Sequence, residues 1–148
     1  GNRLGQVYKQ RTRKEFTLFC RALAALYPDA QKIRLVVDNL NTHSHGSFYE
    51  HLPAADAREL ARKFNFHFTP KHGSWLNMAE IEFSVAAREC LSRRIGSMEE
   101  LEREVLLWSE RRNSKASKIH WSFTVDTARE KLEKQYHKVN TDNPLSKN

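Results

Sequence analysis

Apolar residues recur along this chain at two spacings, and the change from one to the other predicts the order of its elements. Phe16, Phe19, Cys20, Leu23 and Tyr27 follow a helical repeat behind Thr12-Arg13-Lys14-Glu15, a capping-box sequence with Thr at the N-cap and Glu three residues on. Pro28-Asp29 ends that helix. Ile33 to Val37 is apolar apart from Arg34 and rich in β-branched residues, which predicts a buried strand of the kind found in parallel sheets. Pro53 opens a second helix with Ala57, Leu60, Ala61 and Phe64 on one face. Phe66 and Phe68 alternate with polar neighbours in a short strand from Asn65 to Thr69, which Pro70 ends. A third helix is expected from Leu76 to Arg94. A fourth starts at a second capping box, Ser97 to Glu100, with Met98, Leu101, Val105 and Trp108 on one face. A last helix carries Val125, Ala128, Leu132 and Tyr136. Arg3 to Lys9 is a weak strand candidate. Strands alternating with helices make the fold class α/β. Residues 1–136 are expected to form one domain, and 137–148 a polar, frayed tail.

Charge narrows the partners. Lys and Arg number 25 against 18 Asp and Glu, a net charge of +7. That surplus favours an anionic partner, nucleic acid first, or else marks a soluble basic domain with no polyanion to bind. Arg88, Arg93, Arg94, Arg111, Arg112, Lys115 and Lys118 crowd the latter half and are the expected phosphate-contacting residues. Cys20 and Cys90 each fall on an apolar helical face, the place of reduced core thiols in a cytosolic protein rather than of a disulfide or zinc site. No apolar run is long enough to span a membrane, and no signal peptide is visible. The seven histidines form no HExxH pattern, and no P-loop, GxGxxG or GxSxG is present.

Two carboxylates stand where a carboxylate is costly. Asp38 closes the apolar strand and is followed by Asn39-Leu40-Asn41-Thr42-His43. Ligands in α/β proteins gather at the C-terminal ends of strands, although acidic residues there also cap loops and helices. On a helical wheel Glu80 falls within the apolar arc of Leu76, Ala79, Phe83, Ala86, Ala87, Cys90 and Leu91. Glu82 and Glu89 fall opposite. Glu80 then faces a cation, a metal or a cleft, or else reaches solvent from the edge of the arc. Such a pair can hold a hard divalent cation between them. Asn39, Asn41, His43 and Asn77 are the expected loop-supporting residues, by side-chain bonds to backbone or by helix capping. His43 can also orient a carboxylate or contact a phosphate. Lys71 and His72 precede the helix N-terminus, a natural anion site, and join the expected DNA contacts. Trp75 either stacks on a base or covers the core.

Leu35-Val36-Val37-Asp38-Asn39-Leu40-Asn41-Thr42-His43 and the run from Phe66 to Val85, FHFTPKHGSWLNMAEIEFSV, resemble the catalytic domain of bacterial insertion-sequence transposases of the mariner-like DDE superfamily. The likeness extends through Arg88-Glu89-Cys90-Leu91-Ser92-Arg93-Arg94-Ile95 and Arg111-Arg112-Asn113. It implies an RNase H-like mixed sheet flanked by helices, in which three carboxylates bind two Mg²⁺ or Mn²⁺ ions for DNA cleavage and strand transfer. Asp38 matches the family's second acid, and Glu80 the third, in the pattern Leu-Asn-x-x-Glu. The spacing between them is longer than usual, an excess the Pro53–Phe64 helix can absorb. The first acid has no match: Glu15 lies in a capping box and Asp29 in a turn. The resemblance therefore implies a domain lacking the first strands of the fold, inactive alone, with an exposed edge on the Ile33–Val37 strand. A homodimer joined at that edge, or a shifted Arg3–Lys9 strand filling it, is expected. The implied partners are transposon-end and target DNA, with no membrane and no small-molecule cofactor, in the bacterial cytoplasm at the nucleoid. The alternative is a non-catalytic basic DNA-binding or assembly module, a decayed transposase remnant; a different RNase H-like nuclease stands behind both.

Overall fold

The computed structural model describes residues 1–70, 78–121, 124, 126, 127, 129, 130 and 133. The expected helix around Leu132 and Tyr136, the polar tail, Trp75 and Asn77 lie outside those residues or almost wholly so. Seven elements occur in order: α1 (Arg13–Leu26), β1 (Ile33–Val37), α2 (Gly46–His51), α3 (Ala54–Lys63), β2 (Phe64–Phe68), α4 (Met78–Glu89) and α5 (Met98–Ser114). The α/β class holds.

Local chemistry sets most boundaries. Thr12 caps α1, its hydroxyl accepting from Lys14 N while the Glu15 carboxylate accepts from Thr12 N at 2.9 Å, so the capping box is complete. Ser97 caps α5 by accepting from Glu100 N. Its Glu100, however, reaches back to Gly96 N rather than to the cap residue, so the second box is only half formed. α2 has no side-chain cap and leaves no mark in the periodicity.

β1 and β2 run parallel, in register from Ile33 opposite Phe64 to Val37 opposite Phe68. Ile33, Leu35, Phe64 and Phe66 meet Phe16, Cys20, Phe48, Ala57 and Leu60 from α1, α2 and α3 in the main core. The aromatic rings interlock, with Phe64 and Phe66 stacked at 5.9 Å and Phe48 tilted against both. All three helices cover one face. The other face, with Arg34, Val36, Asn65 and His67, is exposed, and Val36 keeps 55% of its surface in contact with solvent. The expected buried strand is therefore buried on one side only, because its helices lie on one side only. Among the described residues the sheet has two strands, so the outer edge of β1 is unpaired.

Arg3 to Lys9 is not a strand and does not fill that edge. It lies across α4 and α5 instead. The Asn113 side chain brackets Arg3, accepting from its N at 2.7 Å and donating to its O at 3.0 Å, as a neighbouring strand would. A Cβ on Gly5 would stand 2.8 Å from Val105 Cγ1 and 2.9 Å from Ser109 Oγ, so only glycine allows this close passage. Gly5→Ala is expected to lower stability by about 1–2 kcal/mol through overpacking. Denaturant titration checks it; an unchanged midpoint would show that the segment is loosely held.

A second, smaller core joins Ala86, Cys90 and Trp108, with Val85 against it. Both cysteines are free and buried. Burial pushes the Cys20 thiol up to about 12 and raises that of Cys90 as well, which keeps both protonated and inert.

Candidate functional site

Asp38 leaves the end of β1 at the C-terminal edge of the sheet, and three contacts fix the loop beyond it. Its Oδ1 accepts from Leu40 N at 3.3 Å, an Asx turn that bends the chain away from the sheet. The same oxygen lies 2.6 Å from His43 Nδ1, a close contact without the alignment of a hydrogen bond. His43 N donates to Leu40 O at 2.9 Å and closes the turn. The His43 ring packs 4.7 Å from Phe16, so α1 holds it in place. Ser47 then ties the loop down, its hydroxyl donating to Thr42 O, while Thr17 of α1 donates to Ser47 O. The His45 ring stacks on Phe66 at 4.5 Å, which anchors the far end of the loop to β2.

Asn39 works across the sheet rather than within its loop. Its Nδ2 donates to Thr69 O, just past the end of β2, while Thr69 N donates to Val37 O at 2.9 Å. Asn41 is exposed and makes no comparable bond.

Buried polar atoms without a hydrogen-bond partner are rare in folded proteins and call for a physical reason. Among the described residues there are four: Thr42 Oγ1, His43 Nδ1, Thr69 Oγ1 and Ser109 Oγ. Three of them belong to the loop after Asp38 or to the residue Asn39 grips. Thr69 was not singled out from the sequence. Its place at the end of a parallel strand, beside Asp38, was the available signal. Asp38 keeps 42% of its side chain exposed, and both of its contacts use Oδ1. The Asp38 carboxylate and the unpartnered hydroxyls of Thr42 and Thr69 in the flanking segments are oxygen donors, the type that suits Mg²⁺ or Mn²⁺ rather than a softer metal. They do not make a full site by themselves: among the described residues no group of three or more His, Cys, Asp and Glu converges.

A family model described as DDE superfamily endonuclease matches residues 1–102. The chain belongs to this family. No curated protein and no solved structure matches it. The two-stranded parallel sheet with its helices is consistent with part of an RNase H-like fold. Endonucleases of the DDE superfamily generally use divalent metals, and DNA is the substrate that membership implies.

Within this DDE domain the facing of α4 differs from the wheel. Glu80 is exposed in the first turn and makes no hydrogen bond or ion pair with a described residue. Phe83, expected in the apolar arc, is 71% exposed, and Leu91 is exposed too. Ala86 and Cys90 of the arc are buried as expected, but Glu82 takes the inner side with them, while Glu89 stays exposed at the rim. Glu82 receives Arg3 at 2.9 Å and 3.0 Å and Arg112 at 3.1 Å through both oxygens. Glu89 accepts from Trp108 Nε1 at 2.9 Å. The bond from Arg3, joined by the one from Arg112, holds the Glu82 carboxyl below the usual range against its partial burial. Two guanidinium groups reach Glu82, and none among the described residues reaches Glu80.

The basic residues divide accordingly. Arg88, Arg94, Arg111, Lys115 and Lys118 are exposed and form no ion pair with a described residue. Arg93 is exposed but paired with Glu100 at 2.7 Å and Glu104 at 3.2 Å. Arg112 is no free phosphate contact: it is half-buried between Glu82 and Glu89, with its guanidinium 5.7 Å from the Trp108 ring centre. Lys71 and His72 lie outside the described residues. No helix among the described residues is long and apolar enough to cross a membrane.

Proposed function

We propose that this domain serves DNA transposition in an insertion-sequence transposase of the mariner-like group, with Asp38 and Glu80 as two of its three metal-binding acids. The observation that carries the reading is Asp38 itself. It is a half-exposed carboxylate at the C-terminal edge of a parallel sheet, ordered through one oxygen, with the hydroxyls of Thr42 and Thr69 unpartnered nearby. A divalent ion held there would polarise a phosphodiester and lower the pKa of the attacking water or 3′-hydroxyl. Asp38 would hold it through Oδ2. Glu80, which makes no hydrogen bond or ion pair with a described residue, lies in the helix that follows β2 in the chain. Residues 1–148 carry no match for the first acid of the triad, so cleavage by this chain alone is expected to be absent. The edge of β1, unpaired among the described residues, supports self-association of the isolated chain as a homodimer.

The test combines a Mg²⁺- or Mn²⁺-dependent strand-cleavage assay with Mn²⁺ binding followed by the electron-spin resonance of the free ion. Weak Mn²⁺ binding, reduced at least tenfold by Asp38→Asn and by Glu80→Gln, is expected together with no cleavage. Cleavage that survives repurification and disappears in Asp38→Asn would overturn the inactivity of this stretch. Sedimentation of the same sample should show more than a monomer. The second reading, a basic DNA-binding module without metal chemistry, is favoured by the exposed cations of the α4–α5 half, Arg88, Arg94, Arg111, Lys115 and Lys118, which no described carboxylate neutralises. Mn²⁺ binding that ignores both substitutions, alongside retained DNA binding, would select it.

A further inference from the structure

We infer that Asn39 is a positioning residue that sets the spacing between Asp38 and the chain leading to Glu80. This rests on the assignment of those two acids proposed above. In a parallel ladder with Val37 opposite Phe68, Thr69 N bonds Val37 O, and the next rung would run from the backbone N–H of residue 39 to Thr69 O. Asn39 makes that rung with its side-chain amide instead. The substitution of amide for backbone has a consequence on each strand. On β1 it releases the backbone at Asp38 from sheet geometry, so the chain turns at once through the Leu40 and His43 bonds and leaves the carboxylate at the tip. On β2 it holds the carbonyl of Thr69, the residue before Pro70, and so extends the paired register to the point where the chain departs for α4.

No other side chain joins these two segments by a hydrogen bond among the described residues. The His45 contact to Phe64 O, at 3.3 Å, fastens the loop to the opposite end of β2. Thr69 is only 5% exposed and Asn39 is exposed, so the bond is part-buried, and loss of the amide would leave the Thr69 carbonyl without this partner. The Thr69 N to Val37 O bond would then be the last rung, and the residues beyond it, Asp38 among them, would be held less firmly. Groups that orient a metal ligand in this indirect way typically change metal affinity by about 10–100-fold when removed.

The experiment uses the full chain and Mn²⁺ as the probe, with electron-spin resonance of the free ion as readout and thermal unfolding recorded in parallel. Asn39→Ala is expected to raise the half-saturating Mn²⁺ concentration about tenfold. Asn39→Gln, which keeps the donor on a longer arm, is expected to weaken binding severalfold and serves if the alanine variant does not fold. Gly5→Ala is destabilised at a distance from the sheet and should bind Mn²⁺ like the parent. Parent-like binding in the Asn39 variants, with binding lost in Asp38→Asn, would overturn the positioning role and leave the acid assignment standing. Equal weakening in Gly5→Ala would reduce the effect to general stability and overturn the role too. Binding unchanged in Asp38→Asn would remove the acid assignment, and this inference with it.

Discussion

Glu82→Ala is expected to destabilise the domain by about 3 kcal/mol. The Glu82 side chain is 14% exposed, with Arg3 at 11% and Arg112 at 16%. Removing the carboxylate leaves two guanidinium groups side by side in a partly desolvated place. Among the described residues Arg112 would keep Glu89, at 3.6 Å, and the Trp108 ring, and the Arg3 guanidinium the carbonyl of Gly1. The N-terminal segment would lose its charged anchor and keep the Asn113 bracket. For a chain of this length the loss corresponds to a fall in Tm of roughly 10 °C. A drop below about 1 kcal/mol would mean that the pair behaves as a surface salt bridge.

The same clamp makes stability depend on pH with a defined sign. The Glu82 carboxyl is held below its unfolded value, chiefly by the Arg3 bond. Its contribution is therefore complete above the unfolded value, about 4.3, and is lost as pH falls through the lower folded value. Glu82→Gln should lose most of the stabilisation at neutral pH and show a shallower acid slope than the parent. Parallel acid slopes would assign the acid sensitivity to other carboxylates.

Short-range signals made much of the fold legible. The Thr12 and Ser97 caps, the β-branched run of β1 and the Phe alternation of β2 each depend on residues within a few positions of one another. What failed depends on distant partners. α4 carries apolar residues almost all round, Met78, Ala79, Ile81, Phe83, Val85, Ala86 and Ala87, so a wheel cannot choose its inner face. The choice is made by Arg3 and Arg112, which lie 79 and 30 positions from Glu82 in sequence. α2 is six residues long, too short to show a period. The site divides in the same way. Asp38 at the end of its strand, with His43 against it, could be read directly, whereas Asn39 was expected to support its own loop. That Asn39 reaches Thr69 required the register of two strands 30 positions apart.

DNA affinity should fall roughly 500-fold between 50 and 200 mM salt, provided the five residues of the expected α4–α5 contact set that form no ion pair with a described residue all meet phosphates. Arg88, Arg94, Arg111, Lys115 and Lys118 are those residues, and five contacts give a log–log slope of about −4.5. The count excludes Arg112, bound between carboxylates, and Arg93, held by Glu100 and Glu104. Their arrangement matters as well as their number. Glu82 meets Arg112, Glu89 meets Trp108 and Arg93 meets Glu100, so α4 and α5 run antiparallel. Lys115 and Lys118 thus lie at one end of the hairpin, near the start of α4 and Glu80, and Arg94 lies at the other. The 17 residues of α5 separate the two ends by about 25 Å, a distance a duplex or an extended strand can follow along its backbone. Lys115→Ala and Arg94→Ala should each reduce the slope by about 0.9, independently of each other. Arg112→Ala, measured well below its lowered Tm, should leave the slope unchanged. A slope shallower than about −2, or one set by Arg112 alone, would mean that DNA meets a different face of the domain.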